Sequence, residues 1–68
     1  MPTILVNGEP RNAAEGLSVR SLLAELGLAE RGGLAVELNE SVVPRSEHGS
    51  TLLKDGDRVE VVTMMAGG

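Results

Sequence analysis

Hydrophobic and polar positions alternate along the chain with two different periods, and the period identifies each element. The clearest helical signal is a stripe of four apolar residues at positions i, i+3, i+4 and i+7. These residues are Val19, Leu22, Leu23 and Leu26. Ser18 precedes the stripe and can cap a helix by accepting from a free amide of its first turn. Gly27 follows at the place where a left-handed residue commonly ends a helix, so the pattern predicts one amphipathic helix.

Runs of β-branched and apolar residues predict the strands on either side of this helix. Thr3–Val6 is the first, and Asn7-Gly8 behind it favours a tight two-residue hairpin because both residues tolerate a positive φ. The return strand is weakly marked, since Pro10 has no amide proton to donate and residues 11–14 have low strand propensity. We therefore expect the return strand at an edge of the sheet.

Two longer strands are predicted after the helix. In Leu34–Leu38 the leucines and Val36 alternate with Ala and Glu, which is typical of a strand with one buried face. Val42-Val43 is a short apolar piece that ends at a proline. Arg58–Thr63 has the highest strand propensity in the chain, so we expect it in the centre of the sheet.

The segment between the short apolar piece and the last strand is predicted to be mostly surface. Residues 46–51 have the composition of an exposed loop, and Leu52 and Leu53 are predicted to return together to the core. Asp55 and Asp57 flank a glycine, and a turn explains this arrangement better than a reactive pair of carboxylates does. His48 is the only histidine, and we expect it to be a solvated loop residue.

The order of elements is a hairpin, a helix, a strand, a short strand and a final strand. This order predicts an α+β fold of the β-grasp type, with a mixed four- to five-stranded sheet packed on one main α-helix. The predicted domain comprises residues 1–65, and residues 66–68 form a flexible tail that ends in Gly-Gly.

Composition narrows the function classes. The chain has 68 residues and no cysteine, so thiolate nucleophiles and Cys-ligated metals are excluded, and one histidine gives no metal site. The net charge of -4 and the absence of aromatic residues argue against nucleic acid as a partner. No apolar run approaches the roughly 20 residues needed to cross a bilayer, so we expect a cytoplasmic protein without a membrane partner.

Four segments and the terminal Gly-Gly together resemble the ThiS family of sulfur carriers, across essentially the whole chain. The segments are ILVNGEP, GLSVRSLLAELGL, AVELNESVVPRS and LLKDGDRVEVVTMM. The resemblance implies that the carboxylate of Gly68 is adenylated by ATP in a partner enzyme, is converted to a thiocarboxylate and donates sulfur to thiazole formation. It also implies a ubiquitin-like β-grasp fold, and a carrier and substrate rather than an enzyme, with no bound cofactor.

The partners implied by the resemblance are a ThiF- or MoeB-like adenylyltransferase, thiazole synthase, and a cysteine desulfurase or another sulfur donor. Gly67 and Ala66 are then the residues that thread the tail into a narrow channel, because glycine permits close approach of the backbone. Val62, Met64 and Met65 are candidates for an apolar patch that docks the activating enzyme.

Other functions stay open on the sequence alone. A related Gly-Gly carrier could serve molybdopterin synthesis or transfer-RNA thiolation, and a covalent protein modifier would use the same tail. A plain β-grasp binding module without tail chemistry is the alternative of another class, since a fold does not fix a function.

Overall fold

The computed structural model describes residues 1–63, which form a mixed sheet with one helix on one face. The elements are β1 (Thr3–Val6), β2 (Glu9–Asn12), α1 (Val19–Glu25), β3 (Leu34–Leu38), β4 (Ser41–Val43), a short 3₁₀ helix (Arg45–Glu47) and β5 (Arg58–Thr63). The predicted bounds of the first, third and last strands are confirmed. The predicted end of the domain at residue 65 and the tail at residues 66–68 lie outside the described residues.

The sheet has five strands in the order β2-β1-β5-β3-β4. β5 lies in the centre, parallel to β1 and antiparallel to β3, and β2 lies at an edge. Both positions were predicted from strand propensity. The parallel β1–β5 pair requires a crossover, and α1 lies within the chain that connects these strands.

Helix α1 begins and ends as its sequence predicts. The Ser18 hydroxyl oxygen accepts a hydrogen bond from the Ser21 amide at 3.0 Å, which satisfies one of the free amides of the first turn. Gly27 has a φ of +76°, a left-handed conformation that glycine adopts at little cost. The apolar stripe faces the sheet, and Val19, Leu22 and Leu23 are buried.

The core lies between α1 and the inner face of the sheet and is entirely aliphatic. Its buried residues are Ile4, Ala13, Leu17, Val19, Leu22, Leu23, Val36, Leu53 and Val59. Val59 and Val36 come from the two central strands, where alternation sends every second side chain towards the helix.

The prediction for Leu52 and Leu53 is half wrong. Leu53 is 3% exposed and belongs to the core, whereas Leu52 is 53% exposed. Leu52 makes an isolated β-bridge with Ser18, and the Leu53 amide donates to the Leu17 carbonyl at 2.8 Å. The segment is therefore extended, and successive side chains in an extended chain point in opposite directions.

The interpretation of His48 as a solvated loop residue is also wrong. The chain from Arg45 to Glu47 forms a 3₁₀ helix rather than an irregular loop, and His48 ends it. The His48 ring is half-buried, with Nε2 3.0 Å from the carbonyl oxygen of Val43. Its backbone carbonyl accepts from the Arg20 amide at 2.9 Å, so this turn is attached to the start of α1.

Both hairpins use two-residue turns with positive φ. In the first, Asn7 and Gly8 have φ values of 50° and 86°, as the Asn-Gly pair predicts. In the second, which joins β3 to β4, Asn39 and Glu40 have φ values of 51° and 73°. The second turn was not predicted, because Asn-Glu is a weak turn signal and glutamate rarely adopts this conformation.

Within residues 1–63, no helix has both the length and the apolar character needed to cross a membrane.

Candidate functional site: the exit of the central strand

The candidate site is the end of β5, because the segment predicted to carry the chemistry follows this strand directly. On one side, Thr63 pairs with Leu34, so β3 supports β5 to its last residue. On the other side, β1 pairs with β5 only at Leu5–Arg58 and Val6–Val59. Among residues 1–63, the last part of β5 therefore has no strand partner on that side.

The side chain of Asn7 takes the place of the missing strand. The Asn7 backbone amide donates to the Val59 carbonyl at 2.8 Å, which continues the ladder by one bond. Its side-chain Oδ1 accepts from the Val61 amide at 2.7 Å, and its Nδ2 donates to the Val61 carbonyl at 3.4 Å. The peptide groups of Val61 that β1 leaves unpaired are therefore satisfied by one amide side chain.

A second asparagine holds the opposite end of β5 in a similar way. The Asn39 backbone amide donates to the Arg58 carbonyl at 2.8 Å, and its Oδ1 accepts from the Arg58 amide at 2.9 Å. Its Nδ2 donates to Oδ1 of Asp57 at 3.0 Å. The central strand is thus bound at both ends by asparagines that lie in the two hairpin turns.

Asp55 and Asp57 lie in the turn that directly precedes β5, which confirms their interpretation as turn residues. Asp57 is 5% exposed, and its Oδ2 accepts from the Lys54 amide at 2.7 Å. Asp55 is exposed, and its Oδ1 accepts from the Thr3 amide at 2.8 Å. Both carboxylates are engaged by backbone amides, so they fix where β5 begins.

An open groove of about 440 Å³ lies beside the exit of β5, between the first hairpin turn and the C-terminal end of α1. Its lining combines an apolar floor with a few polar side chains. The described lining residues are Val6, Asn7, Glu9, Leu26, Leu28, Val61 and Thr63. Thr63 therefore has the groove on one side and β3 on the other.

The sheet face opposite α1 is the outer face, and it carries Val62. This side chain is 47% exposed and lies opposite Ala35 of β3. The next position on this face, two residues earlier in β5, has two like charges opposite each other, Glu60 of β5 and Glu37 of β3. The outer face near the strand exit is therefore apolar at Val62 and acidic beside it, and the docking role of Val62 stays a prediction.

The other residues predicted for the site lie outside the described residues. They are Met64, Met65, Ala66, Gly67 and Gly68. Within residues 1–63, no group of three or more His, Cys, Asp and Glu residues could hold a metal ion. The sequence did not reveal the roles of Asn7 and Asn39, because their bonds to β5 depend on which strands are neighbours in the sheet, and no local signal shows that.

Comparisons with known proteins agree with this architecture. The ThiS family matches residues 4–68. A sulfur carrier protein ThiS from Thermus thermophilus is 45% identical over 65 residues, which cover 96% of this chain and 98% of that protein. The crystal structure of a ThiS thiamine biosynthesis protein from Geobacter metallireducens superposes with a TM-score of 0.83 at 41% identity, covering 97% of this chain and 99% of that one.

A longer relative contains a similar segment. A thiazole synthase from Paramagnetospirillum magneticum is 40% identical over 65 residues, and the chain spans about a fifth (20%) of the length of that protein. The ThiS-type solved structure establishes the β-grasp fold predicted from the order of elements. Since the family match covers nearly the whole described domain and continues to Gly68, the chain belongs to the ThiS family.

Proposed function

We propose that this chain is a sulfur carrier for the thiazole half of thiamine, and that the carboxylate of Gly68 is the group that carries the sulfur. The observation that supports the proposal most strongly is that the family match extends through Gly68. The fold adds a physical reason, because β5 is bound at both ends and gives the residues after Thr63 a fixed starting point.

The first step is activation of a poor electrophile. An oxygen of the Gly68 carboxylate attacks the α-phosphorus of ATP, the bond between the α-phosphorus and the bridging oxygen breaks, and pyrophosphate leaves. The product is an acyl-adenylate, a mixed anhydride whose carbonyl carbon accepts nucleophiles. A partner adenylyltransferase of the ThiF or MoeB type binds ATP and holds the two reactants at near-attack distance.

The second step replaces the adenylate with sulfur. A hydrosulfide equivalent from a cysteine desulfurase or another sulfur donor attacks the carbonyl carbon, and AMP leaves with the bonding electron pair. When the nucleophile is a persulfide, a further thiol then cleaves the sulfur–sulfur bond and releases the thiocarboxylate. The thiocarboxylate is the form that donates sulfur to thiazole synthase.

In this proposal the chain is a carrier and a substrate of its partners, not a catalyst, and it binds no cofactor of its own. Two relatives named thiazole synthase contain a segment similar to this chain, which supports thiazole synthase as the acceptor. Relatives named sulfur carrier protein ThiS support the carrier role.

The small side chains before Gly68 suit entry into an enclosed active site. Glycine lacks a Cβ and adopts conformations closed to other residues, so Gly67 lets the nucleotide approach the backbone closely. Ala66 adds only a methyl group. A larger side chain at position 67 would obstruct the channel without changing the folded domain.

The test is ATP–pyrophosphate exchange catalysed by a purified ThiF-type adenylyltransferase, with the carrier as the limiting component. Wild-type carrier should support exchange, and a variant without Gly68 should support none. Gly67→Val should reduce exchange at least tenfold, whereas Ala66→Gly, which keeps the tail slim, should stay near wild type. Equal thermal midpoints for all four proteins would show that the domain is intact.

The alternatives give other results in the same system. Carrier-dependent exchange without sulfur transfer to thiazole synthase, but with transfer to a molybdopterin or transfer-RNA system, would assign the related pathway. A lysine-linked adduct on another protein would identify a modifier. No exchange with any adenylyltransferase would favour a binding module.

A further inference from the structure

Three arginines and the histidine lie together around two small surface depressions. The arginine patch is the set of Arg20, Arg31, Arg45 and His48, which surround two adjoining surface depressions of about 60 and 30 Å³. Arg45 and His48 line both depressions, Arg20 lines the first and Arg31 the second. The patch thus contains three of the six lysines and arginines of the chain.

The arginines of the patch have no carboxylate within ion-pair distance among residues 1–63. The ion pairs of the described chain are Arg11 with Glu25 at 3.1 Å and Arg58 with Glu40 at 3.8 Å. All ten Asp and Glu residues lie within the described part, and the net charge is -4. Carboxylates are therefore plentiful, yet none of them in the described part forms an ion pair with an arginine of the patch.

The backbone holds Arg20 and Arg45 close together, and Arg31 lines the adjoining depression. Arg20 lies in the first turn of α1, and its backbone amide donates a hydrogen bond to the His48 carbonyl at 2.9 Å, which joins this turn to the 3₁₀ helix that Arg45 begins. Like charges placed side by side repel each other, and this repulsion persists unless an anion binds between them. A fixed, uncompensated cluster is the arrangement that an acidic surface would stabilise.

The patch borders the strand exit. Leu34 lines one of its depressions and pairs with Thr63, the last residue of β5. Leu28 lines both this depression and the groove on the other side of the exit. A partner that takes up the residues after Thr63 would therefore lie against the patch.

We propose that the arginine patch docks onto a carboxylate-rich surface of the adenylyltransferase that activates Gly68. This inference rests on the proposed function. Arginine is suited to the role because its planar guanidinium forms paired hydrogen bonds with a carboxylate. The patch gives an acidic carrier a local positive face with which to approach an acidic surface of its partner. The contact also orients the exit of β5 towards the active site of the adenylyltransferase.

Charge reversal in the exchange assay tests the patch. Arg45→Glu and Arg31→Glu should each raise the KM for the carrier about fivefold or more while the kcat at saturating carrier stays near wild type. Lys54→Glu is the matched control, because it changes the net charge equally at an exposed site near the start of β5. Its KM should stay within about twofold of wild type. The wild-type KM should also rise with salt more steeply than that of Arg45→Glu.

The outcomes separate the patch from the proposed function. If wild-type carrier supports exchange but Arg45→Glu and Lys54→Glu have equal KM values, net charge alone matters and the patch proposal is wrong. If Arg45→Glu raises the KM for ATP and leaves the KM for the carrier unchanged, the patch binds nucleotide and the docking proposal is again overturned. If wild-type carrier supports no exchange, the proposed function itself fails.

Discussion

The side-chain oxygen of Asn7 accepts a hydrogen bond from the backbone amide of Val61 at 2.7 Å, across 54 positions of sequence. This contact lies where β1 has ended and β5 continues. It replaces one bond of a sheet ladder with a bond to a side chain, so the exit of the central strand is fixed by a residue in a distant hairpin turn. Asn7 can do this because its own backbone turns away from β5 at a φ of 50°.

Replacing Asn7 with glycine should loosen the strand exit. Glycine keeps the positive φ but removes both side-chain bonds to Val61, so we expect the free energy of unfolding to fall by about 1–2 kcal/mol. Urea unfolding measures this change, and hydrogen exchange at the Val61 amide should accelerate beyond the global effect. Asn7→Asp is the matched variant, because it keeps the acceptor and should lose less stability. Equal losses in the two variants would show that the 2.7 Å bond is not the source.

The second residue of each hairpin turn has a positive φ, and exchanging glycine at these two positions should change stability in opposite directions. Glu40 has a φ of 73° in the second turn, where Gly8 has 86° in the first. Glu40→Gly should therefore relieve backbone strain and stabilise the protein by about 0.5–1 kcal/mol, despite the greater freedom of glycine in the unfolded chain. The exposed contact of Glu40 with Arg58 is long, at 3.8 Å, and its loss should be small.

Gly8→Ala tests the same explanation in the other direction, because it should destabilise the protein. In the described part of the chain, no atom beyond the two adjacent residues lies within 4 Å of a Cβ added at Gly8, so steric contact with them contributes nothing. The variant should lose about 1 kcal/mol through its φ alone. Thermal or urea unfolding of both variants checks the pair, and a destabilised Glu40→Gly would contradict the explanation.

Adjacent leucines give a test of burial. Leu53→Ala should cost about 2–4 kcal/mol, because it removes a core side chain and leaves a cavity. Leu52→Ala, which has the same chemistry at an exposed position, should change stability by less than about 1 kcal/mol. Urea midpoints decide the comparison. Similar losses would mean that both leucines pack, as the sequence alone suggested.

The sequence predicts local elements better than it predicts long-range contacts. The helix stripe, the Ser18 cap and the strand of residues 58–63 follow from periodicity and propensity, and the structure confirms them. The direction of Leu52 depends on an extended segment that bridges Ser18, and the half-buried ring of His48 contacts the Val43 carbonyl. Such partners are set by the tertiary fold, so hydropathy at single positions cannot reveal them.

The candidate site also has a part that follows from local sequence and a part that depends on long-range contacts. The role of its glycines is predicted from sequence because Gly-Gly after a strong strand is a local pattern, and that role stays a prediction. The contribution of Asn7 could not, since its bond to Val61 requires β1 and β5 to be neighbours. The arginine patch likewise joins three segments that lie apart in the chain.

Val62 offers a direct test of the outer face. Val62→Lys should weaken binding to the adenylyltransferase about tenfold, because it removes an exposed apolar side chain beside the strand exit. Leu52→Lys makes the same charge change at another exposed apolar position and should bind within about twofold of wild type. Isothermal titration calorimetry gives both dissociation constants. Equal values for the two variants would exclude a docking role for Val62.

The intact mass of the carrier, measured after incubation with ATP, the adenylyltransferase and a sulfur donor, tests the central claim most directly. The account predicts a sulfur-for-oxygen mass increase at Gly68 that a thiol-directed alkylating reagent captures. Since the chain has no cysteine, no other group in it should react as a thiol. An unchanged mass under conditions in which a known ThiS carrier is converted would contradict the thiocarboxylate and, with it, the proposed carrier function.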